Sequence, residues 1–146
     1  MTDQRQIAFK FALMGERLEQ VDGVIALDVG SQCVAGVIDH HFRDAGNECA
    51  ASLVAAQPWL VTEHVAGGNA PITLVLHQEP DFDCVASAYL AQSLILIGEL
   101  PPNAEAIARY AREVDAGRPL PGGIGEDSVW ALFVAAVAIV DERLPG

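Results

Sequence analysis

The stretch VIALDVGSQCVAGVIDHHF, residues 24–42, decides the fold because it holds two short apolar runs that both end at an aspartate. Residues 24–27 and 35–38 are rich in branched side chains without strict alternation, which is typical of strands buried on both faces of a parallel sheet. The first run ends at Asp28 and the second at Asp39-His40-His41. A third run, residues 72–76, ends at HQEPDFD, residues 77–83. The pattern predicts a sheet whose strands end in carboxylates and imidazoles.

Segments with helical character separate and follow these strands, at 47–56, 83–96, 103–115 and 126–142. Residues 6–20 are ambiguous, since IAFKFAL alternates like a strand whereas GERLEQ is typical of a helix. The alternation of strands and helices predicts an α/β fold in three layers, with a mostly parallel sheet flanked by helices. We expect residues 1–146 to form one such domain.

The chain is strongly acidic, with 8 basic against 20 acidic residues and a formal charge of -12. Such a charge disfavours binding to bare nucleic acid or acidic membrane surfaces unless bound cations reverse its sign. The three cysteines have no paired spacing, the N-terminus has no signal-peptide core, and the most apolar run, 129–140, is too short to span a bilayer. We therefore expect a cytoplasmic protein that does not enter a membrane.

The polar clusters at the strand ends point to a metal site. The carboxyl ends of neighbouring parallel strands meet at one edge of a sheet, where ligands commonly bind. Several carboxylates there would raise one another's pKa unless a cation neutralised them. Carboxylate and imidazole without thiolate suit manganese, magnesium or iron. Asp81 and Asp83, two residues apart, can serve one ion each, and a pair of ions would favour hydrolysis of a phosphate ester or anhydride.

These residues resemble the motifs of the DHH phosphoesterase superfamily, which includes family II pyrophosphatases, RecJ-type exonucleases and oligoribonucleases. The resemblance rests on Asp28, on the triplet Asp39-His40-His41 and on HQEPDFDCVASAYLA, residues 77–91, and it covers residues 24–96. In most members the His…Asp-x-Asp motif comes before the triplet, whereas here it comes after it. The resemblance therefore implies a DHH-like domain with a permuted motif order.

The resemblance also implies a set of metal ligands. His77 and Asp81 would bind a first ion, His40 and Asp83 a second, and Asp28 would bridge the two. Two Mn²⁺ ions are the expected cofactors, with Mg²⁺ as an alternative.

The remaining site residues follow from the same resemblance. Asp39 would orient a histidine, and His41 would face the substrate phosphate as a donor or general acid. The pyrophosphatase-like members suggest Asp115 as a further ligand of the second ion. Arg43 and Arg118 are the nearest candidates for contacts with phosphate.

The C-terminal region departs from the family pattern. Members carry a C-terminal substrate domain with a histidine in a Gly-rich motif, but PLPGGIGED, residues 119–127, has no histidine. Two alternatives stay open: a second domain or subunit completes the site, or the site is minimal and open. Self-association into a homo-oligomer is compatible with both.

Two functions therefore remain in view. The first is a metal-dependent phosphohydrolase that cleaves a phosphodiester or phosphoanhydride in a nucleotide, a short oligonucleotide or pyrophosphate. The second is a non-catalytic metal-binding or partner-binding module of the same descent. The complete ligand set favours the enzyme.

Overall fold

The computed structural model describes residues 4–42, 46–65 and 67–118, together with Phe133 and Ala136. Strands and helices alternate through the described ranges, as an α/β fold requires. Their bounds in chain order are β1 Ile7–Ala12, β2 Val24–Leu27, β3 Cys33–Val34, β4 Val37–Ile38, α1 Ala50–Ala56, α2 Trp59–Thr62, β5 Ile72–His77, α3 Phe82–Ile97 and α4 Ala104–Asp115.

The sheet is mixed but mostly parallel, with the strand order β1-β5-β2-β4-β3. β5 pairs in parallel with β1 and β2, β2 pairs in parallel with β4, and β3 pairs antiparallel with β4. The predicted mostly parallel α/β sheet is confirmed. The strand predicted over 35–38 is wrong at its start, because Ala35 and Gly36 form the turn of a β3–β4 hairpin. Gly36 has a φ of 84°, a left-handed conformation that favours glycine.

The three long helices lie together on one face of the sheet. α1, α3 and α4 contact one another, and the apolar core beneath them includes Ile25, Leu27 and Leu74. On the opposite face a small cluster around Ala26 is covered in part by Leu18 from the segment after β1. The third layer of the predicted arrangement is therefore not formed by any of the described helices, because they share one side of the sheet.

The helix predictions differ from the structure mainly at their ends. α3 and α4 begin and end within one residue of the predicted 83–96 and 103–115. α1 begins at Ala50 rather than at residue 47, because Cys49 is extended and donates its backbone N–H to Ser52 Oγ. The helical interpretation of GERLEQ is wrong, since Leu18 N–H donates to Gly30 O and ties this segment beside the sheet. The helix predicted over 126–142 lies outside the described residues except for Phe133 and Ala136.

Cysteine pairing and helix hydropathy can also be compared with the sequence. Cys33, Cys49 and Cys84 are all free, as their spacing predicted. Among the residues described, no helix is both long and apolar enough to cross a membrane.

Candidate metal centre

Three neighbouring parallel strands bring the predicted ligands to one edge of the sheet. Asp28 directly follows β2, Asp39 directly follows β4, and His77 is the last residue of β5. Because β5, β2 and β4 are adjacent and parallel, their carboxyl ends lie side by side. The convergence predicted from the sequence is thus present in the structure.

Asp28 lies at the centre of the cluster and is completely buried. Its Oδ1 lies 3.0 Å from His40 Nε2, and its Oδ2 lies 3.1 Å from His77 Nε2. Its backbone has a φ of 60°, a left-handed conformation that strains a residue with a Cβ. Such strain is typical of functional positions, where the surrounding structure holds the residue in place.

His40 and His77, which both contact Asp28, each lie close to a second aspartate. His40 Nε2 lies 3.4 Å from Asp83 Oδ2, and His77 Nε2 lies 3.6 Å from Asp81 Oδ1. The cluster therefore consists of two histidine–aspartate pairs on either side of one shared carboxylate. This grouping is the one that the resemblance implies for the two ions.

Two helices fix the positions of Asp81 and Asp83. Asp81 is the N-cap of α3 and accepts the backbone N–H of Cys84 at 2.9 Å. Asp83 accepts the N–H groups of Ala50 and Ala51, both at 2.8 Å, and so holds the start of α1 against α3. Burial alone would raise the pKa of Asp83, but the hydrogen bonds from His40 and α1 outweigh it and lower that pKa.

Asp39 holds His41 in a fixed orientation. Its Oδ1 lies 2.7 Å from His41 Nδ1, and its Oδ2 accepts the backbone N–H of Ser31 at 2.8 Å. Burial opposes ionisation of Asp39, yet these hydrogen bonds lower its pKa to about 2. The His41 side chain keeps about 33% of its surface exposed, so it is anchored on one side and accessible on the other.

Burial and neighbouring charges shift the pKa values of the central residues Asp28 and His40. Burial raises the pKa of Asp28, and the neighbouring carboxylates of Asp83 and Asp81 raise it further. Burial alone would lower the pKa of His40, but hydrogen bonds to Asp28 and Asp83 raise it strongly instead. The carboxylates thus favour the protonated, positively charged form of His40. A bound cation could supply the same positive charge.

The donor atoms are close enough together to hold metal ions. Among the described residues, ligand atoms within 4.8 Å of one another form three groups: Asp28 with Asp39, His40 and His41; Asp28 with His77 and Cys84; and His40 with Asp83 and Asp115. Asp28 and His40 each belong to two of these groups, so ligands can be shared between neighbouring positions. The chemistry of this set fits a divalent cation, and it does not specify which one.

Asp115 and Arg118 lie at the open side of the cluster. Asp115 Oδ2 is 3.9 Å from His40 Nδ1, and both residues line a cavity of about 340 Å³ together with Arg118. Arg118 Nε lies 3.2 Å from Glu113 Oε2 in an exposed ion pair. The predicted phosphate contact Arg43 lies outside the described residues.

Sequence reasoning missed two participants in the site, Ser31 and Glu48. Ser31 donates its backbone N–H to Asp39 from a left-handed turn at φ 61°, and the Gly30-Ser31 pair was a possible signal of that turn. Glu48 lines the cavity beside Asp115, which no motif indicates. Cys84 lies near Asp28 and His77, but its buried Sγ faces Leu27 O at 3.7 Å, and burial raises the pKa of the thiol, so packing explains its position.

Comparison with known proteins finds no relative of this chain. The chain matches no protein-family model, no curated protein and no solved structure.

Proposed function

We propose that the chain is a divalent-metal-dependent phosphohydrolase that cleaves a phosphodiester or phosphoanhydride bond. The observation that carries this proposal is the placement of Asp28, whose two carboxylate oxygens contact two different histidines at 3.0 and 3.1 Å. A buried carboxylate that presents one oxygen to each of two histidine–aspartate pairs is suited to bridge two cations. An aspartate with only a structural role would not need a histidine contact on each of its two carboxylate oxygens.

The ligands divide into two sets around this bridge. His77 and Asp81 would hold one ion, and His40 and Asp83 the other, with Asp115 adjoining the second set. Mn²⁺ suits mixed carboxylate and imidazole ligands, and Mg²⁺ is the alternative. When bound, such ions would lower the pKa of a coordinated water and stabilise the attacking and leaving oxygens.

His41 supplies a proton donor at the edge of the cluster, where its Nδ1 lies 2.7 Å from Asp39 Oδ1 and 3.6 Å from Asp28 Oδ1. Its hydrogen bond with Asp39 fixes the ring and raises the pKa of the imidazole, which favours the protonated form that a general acid requires. Because the ring is partly exposed beside His40, it can reach a leaving-group oxygen. Asp39 acts through His41 as a positioning residue.

Descent from the DHH phosphoesterases is part of this proposal. The strand order supports it, because β5 pairs with β2 and β2 with β4, which places the three motifs side by side despite their permuted order along the chain. Circular permutation preserves such a site when the strand ends still converge.

The candidate substrates are nucleotides, short oligonucleotides and pyrophosphate. Arg118 lines the same cavity as His40 and Asp115, so its guanidinium is the candidate contact for a substrate phosphate.

The test is hydrolysis of a substrate panel with and without Mn²⁺, measured as the p-nitrophenol, phosphate or mononucleotide released. Bis(p-nitrophenyl) phosphate, pyrophosphate and a dinucleotide cover the proposed bond types. We expect turnover that requires Mn²⁺ and is lost in Asp28→Asn, while Asp22→Asn, at an exposed site, retains it. Metal-loaded protein that releases no product from any member of the panel would instead support the non-catalytic binding module.

A further inference from the structure

β1 forms one edge of the sheet, and no strand among the described residues pairs with its outer side. Gln6 O and Ala12 O accept N–H groups from Ile72 and Gln78, so the even-numbered residues of β1 direct their backbone groups toward β5. In a parallel ladder the intervening residues direct theirs away. Residues 7, 9 and 11 therefore present N–H and C=O groups to the open edge.

The side chains along this edge are apolar and exposed. Phe9 is 51% exposed and Phe11 58%, and Leu13 and Met14 continue the surface at 61% and 51%. Proteins normally protect an edge strand with charges, proline or short length, because an open edge is a template for pairing. The opposite edge, β3, has only two residues, whereas β1 has six with Lys10 as its single charge. The β1 edge is thus the unprotected one.

We propose that β1 pairs antiparallel with β1 of a second copy of this chain, which joins two five-stranded sheets into one of ten strands. Closed two-fold pairing is the commonest form of self-association and uses the same surface on both copies. Centring the two-fold axis on Phe9 places Phe9 opposite its counterpart and Ile7 opposite Phe11. Lys10 then faces Ala8, whereas an axis at Lys10 would set two lysines against each other.

The charge distribution favours a second copy as the partner on this edge. Residues 4–15 include Arg5 and Lys10 and no acidic residue, although the whole chain carries a charge of -12. Two-fold pairing sets the same surface of each copy against the other, so pairing along this acid-poor edge keeps the carboxylates of the two copies apart. In the Phe9-centred register Arg5 lies opposite Leu13, beside the turn in which Glu16 N–H donates to Leu13 O.

The exposed area predicts the strength of the dimer. A fully buried aromatic side chain removes about 150–250 Å² from water, so each half-exposed phenylalanine offers roughly 100 Å². Four such apolar side chains fall short of the ~800 Å² per partner of a standard stable interface. We therefore expect a dimer that dissociates in the micromolar range, which sets the concentrations for the test.

Sedimentation velocity of the full chain over roughly 1–100 µM tests the proposal. We expect the mass to rise toward twice the 15.5 kDa of one chain, and Phe9→Glu to weaken the dimer at least tenfold. Ile97→Glu is the matched control, because Ile97 is 74% exposed at the end of α3. Circular dichroism of both variants establishes that they remain folded.

Disulfide trapping tests the register. Facing residues in a hydrogen-bonded antiparallel pair have Cα atoms about 5.5 Å apart, within the range of a disulfide. Phe9→Cys should therefore cross-link on oxidation well above the wild-type background, and Lys10→Cys should not. A wild-type chain that stays monomeric at all concentrations, or a dimer that survives Phe9→Glu, overturns the interface. Cross-linking of Lys10→Cys in place of Phe9→Cys overturns the register.

Discussion

Asp28 combines complete burial, a left-handed backbone and contacts with His40 at 3.0 Å, His77 at 3.1 Å and His41 at 3.6 Å. Each property alone has ordinary explanations. Together they describe a carboxylate held against conformational strain and against repulsion from Asp81 and Asp83. The arrangement is stable because protons, or cations in their place, balance the negative charge.

His40 and His41 should differ sharply on substitution, although they are neighbours in the sequence. His40→Ala removes a contact to Asp28 and Asp83 and should cost one bound ion, because its Nε2 lies between them. His41→Ala should leave metal binding nearly intact and reduce kcat by about 10²–10⁴-fold, as loss of a general acid does. Metal content and steady-state kinetics of both variants measure the contrast. Equal metal loss in the two variants would remove the proposed division of roles.

The hydrogen bonds of Asp39 with His41 and Ser31 should make the free energy of unfolding depend on pH in the acid range. The pKa of Asp39 is about 2 in the folded chain against an ordinary 3.8, so the stabilisation is present above pH 3.8 and is lost as the pH falls toward 2. In EDTA at pH 7, Asp39→Asn should lower the free energy of unfolding by about 2 kcal/mol. The difference from wild type should shrink between pH 4 and 2 in urea unfolding. A difference that is constant with pH would rule out the carboxylate charge as its origin.

At the scale of elements, Asp83 links the metal centre to the packing of α1 on α3. Both of its oxygens accept backbone N–H groups at the start of α1, and these donors are buried. Asp83→Ala should therefore destabilise metal-free protein by about 1–3 kcal/mol, because buried donors lose their acceptor. Asp115→Ala, at the exposed end of α4, should change the stability by less than about 0.5 kcal/mol. Urea unfolding of both variants in EDTA makes the comparison, and equal stabilities would show that Asp83 has no capping role.

The sequence allowed the ends of β2, β4 and β5 to be predicted, because each apolar run stops at a polar residue. β2 and β5 are continuous apolar runs that stop at Asp28 and His77, so their ends are unambiguous. The β3–β4 hairpin escaped prediction because strands of two residues have no measurable periodicity. The capping role of Asp83 depends on contacts with Ala50 and Ala51, more than thirty positions earlier, which no local pattern reveals.

At the scale of the whole molecule, the metal centre should be coupled to global stability. The cluster joins three strands and two helices, so an ion that binds only the folded chain stabilises all of them together. Mn²⁺ should raise the melting temperature, EDTA should lower it, and Asp28→Asn should lose most of the shift. Thermal melts that superimpose with and without Mn²⁺ would mean that the cluster does not bind the ion.

The most direct test of the account is the number of Mn²⁺ ions bound per chain, measured by titration with electron paramagnetic resonance of the free ion. The account predicts two ions in the wild type and one in either His40→Ala or His77→Ala. It predicts weak or no binding in Asp28→Asn, because that carboxylate touches both histidines. A single ion in the wild type, or two ions retained in Asp28→Asn, would contradict the bridging role of Asp28.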